Sequence, residues 1–361
     1  MATRVRSYSK INLGLSIGPV RADGFHELVT VYQTLELHDV VSVAARAAAK
    51  TRILLQSNDS RVPTDGRNTA FKMVEKMLAR LGMTAEVEIH IQKNLPIQGG
   101  MGAGSANAAA ALIGLERELG VVCPDRLEIA AEVGSDVPLF LVGGAVLGTN
   151  RGEVVQAVED RDFGGVACVI ALPRVGVSTP QAFRDWDGRA LQDSPAGSTL
   201  EKLSRTYASI LRLESKNAES GASGIVRPSG NSSDCFPKRT EEDCGPEQES
   251  GISNTRDEGQ NDLAENTLLA LVRTGIENDF ETVVFLQHPP LREIKRQLMG
   301  VDSGQPALIA ALSGSGSALF GLYGSEGDAQ AAQQRLQVHG VEAVVTKTLP
   351  RAAYWENMFA E

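Results

Sequence analysis

Two residues of this chain are of the types that phosphoryl transfer requires. Lys10 lies in the apolar run Ser9-Lys10-Ile11-Asn12-Leu13-Gly14-Leu15, and Asp136 lies in Gly134-Ser135-Asp136-Val137-Pro138. A carboxylate can take the proton of an acceptor hydroxyl, and an ammonium group can keep that carboxylate ionised and stabilise the developing alkoxide. Taken alone, Lys10 reads as a solvated strand-edge residue and Asp136 as a turn or helix-capping carboxylate. A third segment gives the pair something to work on. It runs PIQGGMGAGSANAAAAL from Pro96 to Leu112.

In that segment Gly99, Gly100, Gly102 and Gly104 leave the backbone nearly bare, and the alanines from Ala108 to Ala111 read as a helix. A bare loop entering a helix N-terminus is an anion site, because the first turn has unpaired N–H donors and the positive end of the dipole. Neither of the two commonest phosphate loops fits. A Walker loop needs Lys then Ser or Thr after its last glycine, whereas Gly104 is followed by Ser105 and Ala106. The dinucleotide fingerprint needs a glycine where Asn107 stands.

A further cluster, Arg21-Ala22-Asp23-Gly24-Phe25-His26-Glu27, has the residues to recognise a planar group: Phe25 to stack and His26 to bond an edge. The bland alternative is a polar loop with one satisfied histidine. No G-x-S-x-G element occurs, and the five histidines are too scattered for a metal cluster. The net charge of -10 argues against nucleic-acid and membrane-surface partners, which need a positive field. MATRVRSYSKINLGL lacks an apolar leader, no run is apolar enough to span a bilayer, and the four cysteines show no C-x-x-C spacing. A cytoplasmic protein is the expectation.

The elements that must hold these residues follow from periodicity. Two-residue alternation predicts strands over 5–15, 29–37, 40–43, 53–56 and 87–92, then 142–147 and 166–172. Helical spacing predicts helices over 68–81, 108–119 and from about Asp125 to the Gly134 break, and again over 264–276 and 280–285. Ser313-Gly314-Ser315-Gly316-Ser317 separates two further strand-like runs. It is either a tight connection or a second loop approaching the same ligand. Strands and helices without a regular βαβ beat predict an α+β chain. With 361 residues and 42% hydrophobic composition, one large domain or two ordinary ones can be built. Residues from about 214 to 262 are rich in Ser, Gly, Asn, Glu and Pro, and read as a disordered insertion.

Together these motifs resemble the GHMP kinases, whose phosphate loop matches Pro96 through Ala109. Within them the chain is similar to the branch that phosphorylates the 2-hydroxyl of 4-diphosphocytidyl-2-C-methyl-D-erythritol in the non-mevalonate isoprenoid pathway. That narrowing rests on the motifs around Lys10, Phe25 and Asp136, on Arg151-Gly152-Glu153, Ser178-Thr179-Pro180 and Asn278-Asp279-Phe280-Glu281, and on the ends Ser313 to Ser317 and Lys347 to Ala352. The resemblance implies a two-domain α+β fold, divided as 1–160 and 161–361, with the active site between the domains. It implies Lys10 and Asp136 as the catalytic pair, with Asn12, Phe25, His26, Thr179 and Phe183 on the cytidyl substrate. It implies ATP on Pro96, Ile97, Gln98, Gly99, Gly100, Met101, Gly102, Ala103, Gly104, Ser105 and Ala106, with Asn68 nearby. Mg2+ is expected with ATP, and no protein ligand is assigned to it. A homoserine or mevalonate-type kinase, and a nucleotide sensor without turnover, are the alternatives.

The loop departs from the family form at Met101, Ala103 and Ala106, where Leu, Gly and Ser are usual. The methionine conserves volume. A Cβ at position 103 is expected to strain a backbone needing positive φ, and position 106 to lack a phosphate-binding hydroxyl. Weaker ATP binding than in relatives is the expectation.

Overall fold

A computed structural model describes residues 2–97, 99–160, 163–190 and 267–361. Gln98, the stretch 214–262 and the cysteines Cys235 and Cys244 lie outside the described residues. Two antiparallel-rich sheets organise the rest. The first has the order β11-β1-β2-β4-β3, with β5 pairing β2 and β6 pairing β5. Its backbone is a long hairpin of β1 (Thr3–Val20) and β2 (His26–Ala47), where the separate strand signals after position 29 merge into one element.

Alternation on β1 decides the site. Ile11 and Leu13 enter one apolar core, while Lys10 and Asn12 project from the opposite face. Opposite them on β2, Lys10 pairs with Thr34 and Asn12 with Tyr32. The remaining strands of this sheet are β3 (Arg52–Ser57), β4 (Ala85–Gln92), β5 (Ala145–Thr149), β6 (Val154–Ala157) and β11 (Phe359–Ala360). β3 runs parallel to β4, and the short β11 brings the chain end back to pair with β1.

Three helices pack with this sheet. In α1 (Thr69–Arg80), Ala70, Met73, Val74, Met77 and Leu78 fall on one buried stripe, as the spacing predicts. The alanine helix α2 (Ala103–Leu119) is buried around nearly its whole circumference, because small side chains let it lie close to both strands of the hairpin and to α1. It starts five residues earlier than the alanine run suggests, directly after the glycine loop. α3 (Arg126–Val133) ends at Gly134, and a 3-10 turn over Pro138–Leu141 follows.

The second sheet is antiparallel throughout, in the order β10-β7-β9-β8. It comprises β7 (Ala167–Leu172), β8 (Ile309–Leu312), β9 (Leu319–Tyr323) and β10 (Glu342–Lys347). Helices Glu281–Gln287, Pro289–Met299 and Glu326–Val338 bury Phe285, Leu291, Leu298 and Leu336 in the core beside it. A shared core joins the two sheets: Ile11 and Leu147 from the first sheet with Ile170 and Phe320 from the second. The content is α+β, as expected. Among the described residues no helix is long and apolar enough to cross a membrane.

Candidate active site

The glycine loop crosses the seam between the sheets and is tied to both. Met101 O accepts the amide of Lys10 at 3.1 Å, and Gly99 O accepts that of Ala318 at 3.2 Å. The Ser313 hydroxyl donates to Gly100 O at 3.0 Å. The Ser313–Ser317 segment therefore docks on the glycine loop, and it is also the tight connection between the antiparallel strands Ile309–Leu312 and Leu319–Tyr323. Gly100 and Gly102 both have positive φ, at 73° and 71°. A Cβ on Gly100 would lie 2.1 Å from Ser313 O, and one on Gly102 would lie 3.1 Å from Lys10 Cγ. Glycine is required at both by conformation and by space.

Ala103 is the first residue of α2 and is absent from the positive-φ positions, so the expected strain at this residue does not arise. The left-handed step is taken one residue earlier, by Gly102. Ala106 also corrects its expectation. Its side chain is 2% exposed inside the core, and its N–H is taken by Gly102 O at 2.8 Å. A hydroxyl there would face apolar neighbours and not the loop's cradle.

On the open side of the loop lies a cavity of about 360 Å³, lined among others by Pro96, Ile97, Gly104, Ser105, Asn68 and Lys93. Asn68 caps α1: its Oδ1 accepts the Ala70 amide and its Nδ2 donates to Pro63 O, both at 2.8 Å. Its amide is thus committed to shaping the cavity wall. Lys93, which sequence reasoning did not single out, is paired with the buried Asp39.

Lys10 comes to the inner side of the loop. Its Nζ donates to Asn12 Oδ1 at 2.6 Å and lies 3.3 Å from Asp136 Oδ2. Asn12 Nδ2 donates in turn to Thr30 Oγ1 at 2.8 Å, and Thr30 donates to Gly14 O at 2.7 Å. The chain of bonds fixes the ammonium against the carboxylate. The Lys10 side chain is 3% exposed and that of Asp136 33%. The cation is thus withdrawn from water while the carboxylate keeps an exposed edge. The second oxygen of Asp136 accepts the Tyr32 hydroxyl at 3.0 Å. Tyr32 escaped sequence reasoning because a tyrosine in an alternating strand signals only core. Burial, with the Asp136 charge beside it, raises the Tyr32 phenol well above its ordinary range, so it stays a donor.

The third cluster assembles from β2 and α4 (Thr179–Ala190). His26 stacks on Phe183 at 4.6 Å and 15°, and Phe183 meets Phe280 edge-on at 4.9 Å. His26 Nε2 and Asp187 Oδ1 are 2.7 Å apart, a partner no motif indicated. Phe25 is 51% exposed, with the Arg151 guanidinium 4.8 Å over its ring. Thr179, at the start of α4, shares a 2.7 Å hydrogen bond with Ser315. These two line a second cavity of about 520 Å³ together with Gly100 and Gly316. Among the described residues no group of three or more His, Cys, Asp or Glu gathers as a cation cage.

A glycine loop on a helix N-terminus, a buried lysine on an aspartate and a second glycine loop closing the seam define a site of the small-molecule kinase class. Comparison with known proteins gives the same class. Residues 68–144 match the GHMP kinases N terminal domain and residues 262–342 the GHMP kinases C terminal domain. The chain is 36% identical over 233 residues to a 4-diphosphocytidyl-2-C-methyl-D-erythritol kinase of Corynebacterium efficiens, covering 58% of this chain and 73% of that one. It is 42% identical to the enzyme of that name from Nocardioides sp., covering 53% of this chain and 65% of that one. With the Caldicellulosiruptor saccharolyticus enzyme it shares 28% over 95% of this chain and 96% of that one. The matched part spans somewhat less than two thirds of the Nocardioides relative's length. A crystal structure of 4-(cytidine 5'-diphospho)-2C-methyl-D-erythritol kinase superposes with a TM-score of 0.61 at 24% identity, covering 96% of this chain and 98% of that one. The homoserine kinase of Cytophaga hutchinsonii gives 0.62 at 19%, covering 97% and 95%, so the shared fold does not separate substrates. The chain belongs to the GHMP kinases, and within them to the family of the 4-diphosphocytidyl-2-C-methyl-D-erythritol kinases.

Proposed function

We propose that this protein transfers the γ-phosphoryl group of ATP to the tertiary 2-hydroxyl of 4-diphosphocytidyl-2-C-methyl-D-erythritol. The observation that carries the reading is the Lys10–Asp136 contact of 3.3 Å beside the glycine loop. Asp136 takes the hydroxyl proton, the alkoxide oxygen attacks the γ-phosphorus, and the bond to the β–γ bridging oxygen breaks to release ADP. Lys10 holds the carboxylate ionised and offsets negative charge as it builds. The backbone N–H groups of the loop and of the α2 N-terminus, with Ser105, hold the triphosphate. Mg2+ arrives as part of the MgATP substrate.

The cytidyl half is assigned to Phe25, His26 and Phe183, with Asn12 and Thr179 toward the polyol. A homoserine or mevalonate kinase has no use for an aromatic and imidazole cluster of this kind, which supports the cytidyl reading. The units 1–160 and 161–361, the second returning Tyr354, Met358 and β11 to the first sheet and its core, belong to the same proposal with the reaction at their seam, as does a cytoplasmic setting. ADP release measured with the cytidyl substrate, mevalonate and homoserine tests the substrate. Repeating it with Asp136→Asn tests the base: a loss of about 10²- to 10⁴-fold in kcat is expected. Full turnover in that variant would remove Asp136 from the reaction.

A further inference from the structure

We infer that Tyr32 is a positioning residue for the Lys10–Asp136 pair, held in place by the glycines of the β5–β6 hairpin; this rests on the kinase reading above. Tyr32 touches both members of the pair. Its hydroxyl donates to Asp136 Oδ1 at 3.0 Å, while Lys10 Nζ, 3.3 Å from Oδ2, lies 5.6 Å from the centroid of the tyrosine ring. The carboxylate is thereby gripped at both oxygens, one by the ammonium and one by the phenol. Rotation of the carboxyl group would break one of these bonds. Fixing that rotation fixes the lone pair that must meet the substrate hydroxyl, and proton transfer depends steeply on that geometry.

The tyrosine has no freedom of its own. It is 2% exposed and sits in the β1–β2 register opposite Asn12, with Val146 of β5 on its other flank. Gly148 and Gly152 make room for it. A Cβ on Gly148 would lie 2.5 Å from Tyr32 Cε2, and one on Gly152 2.5 Å from the Tyr32 hydroxyl oxygen. The middle residue of Arg151-Gly152-Glu153 thus has a role the motif alone did not supply: it leaves space for the phenol that holds Asp136.

The decisive variant is Tyr32→Phe, which keeps the ring in its socket and removes only the hydroxyl; Gly152→Ala places a methyl where the hydroxyl sits. In Tyr32→Phe, kcat is expected to fall about 10- to 100-fold, the span of a lost hydrogen bond to a charged group. Both KM values should stay within about twofold, because no substrate contact is lost. Gly152→Ala combines the clash with the phenol and a φ of 97°, and should lower kcat at least as far. An unchanged kcat in Tyr32→Phe, or a loss confined to KM, would overturn the inference. A substrate-free readout separates it from the kinase reading. With ¹³Cζ-labelled tyrosine, the resonance that vanishes in Tyr32→Phe should move in Asp136→Asn as its charged acceptor becomes neutral. Absence of turnover on all three alcohols would defeat the kinase reading, whereas an unmoved resonance defeats the Tyr32 contact.

Discussion

His26 and Asp187 share a hydrogen bond of 2.7 Å between Nε2 and Oδ1, joining β2 to α4 across the cluster that includes Phe183. A carboxylate only accepts, so in a neutral imidazole the Nε2 proton is given to Asp187 and Nδ1 is left as an acceptor. An acceptor at that position suits an exocyclic amino group, which cytosine carries and uracil does not. Asp187→Ala is expected to raise KM for the cytidyl substrate about 5- to 10-fold, the scale of one hydrogen bond, with kcat and KM for ATP unchanged. Steady-state kinetics with each substrate varied in turn checks this; a change falling on ATP would place Asp187 elsewhere in the mechanism.

The two glycine loops hold each other through the Ser313 hydroxyl and Gly100 O, and the contact has no room for a side chain. Gly100→Ala combines a 2.1 Å clash against backbone with a φ of 73°, and should destabilise the fold by more than about 2 kcal/mol and raise KM for ATP. Gly104→Ala meets nothing closer than Thr69 Oγ1 at 3.5 Å and lies in the first turn of α2, so its fold should be no less stable than the parent. Chemical denaturation of both variants separates the two cases.

Ala106 reverses the expectation that a serine there would strengthen nucleotide binding. With its side chain in the core, Ala106→Ser should leave KM for ATP within about twofold of the parent and lower stability by about 1 kcal/mol through the buried hydroxyl. A clear gain in ATP affinity would mean that α2 turns this residue toward the nucleotide.

Glu116 supplies a pH-dependent test of folding. Burial raises its carboxyl above the ordinary range, even though Oε1 accepts the Cys123 amide at 3.0 Å and Arg126 lies 3.5 Å from Oε2. The folded state then holds the proton more tightly than the unfolded state. The contribution of this group therefore falls as pH rises from its unfolded value through the raised folded one, and remains a burden above that. Glu116→Gln keeps an acceptor for Cys123. Its stability relative to the parent should be higher at about pH 8 than at about pH 4, in denaturation series at both. The opposite trend would show the Arg126 pair outweighing burial.

The local periods of two and 3.6 residues are written in the chain, and with them come the strand that carries Lys10 and Asn12 on one face, the stripe of α1 and the glycine entry to α2. The two-residue β11 is too short to show a period, whereas the helix Pro289–Met299 does carry one, with Leu291, Ile294 and Leu298 at helical spacing among charged residues. Family motifs in the sequence suggested Lys10, Asp136, Phe25, His26 and Phe183 as one site. What sequence could not decide was which way each side chain turns and whom it meets. Tyr32 reaches Asp136, Asp187 reaches His26, and Ala106 turns into the core. Those pairings join residues far apart in the chain, and they are set by strand register and by how the helices pack on the two sheets. Register and packing are resolved only when the whole hydrophobic core closes, because a one-residue shift would send every side chain of a strand to the other face.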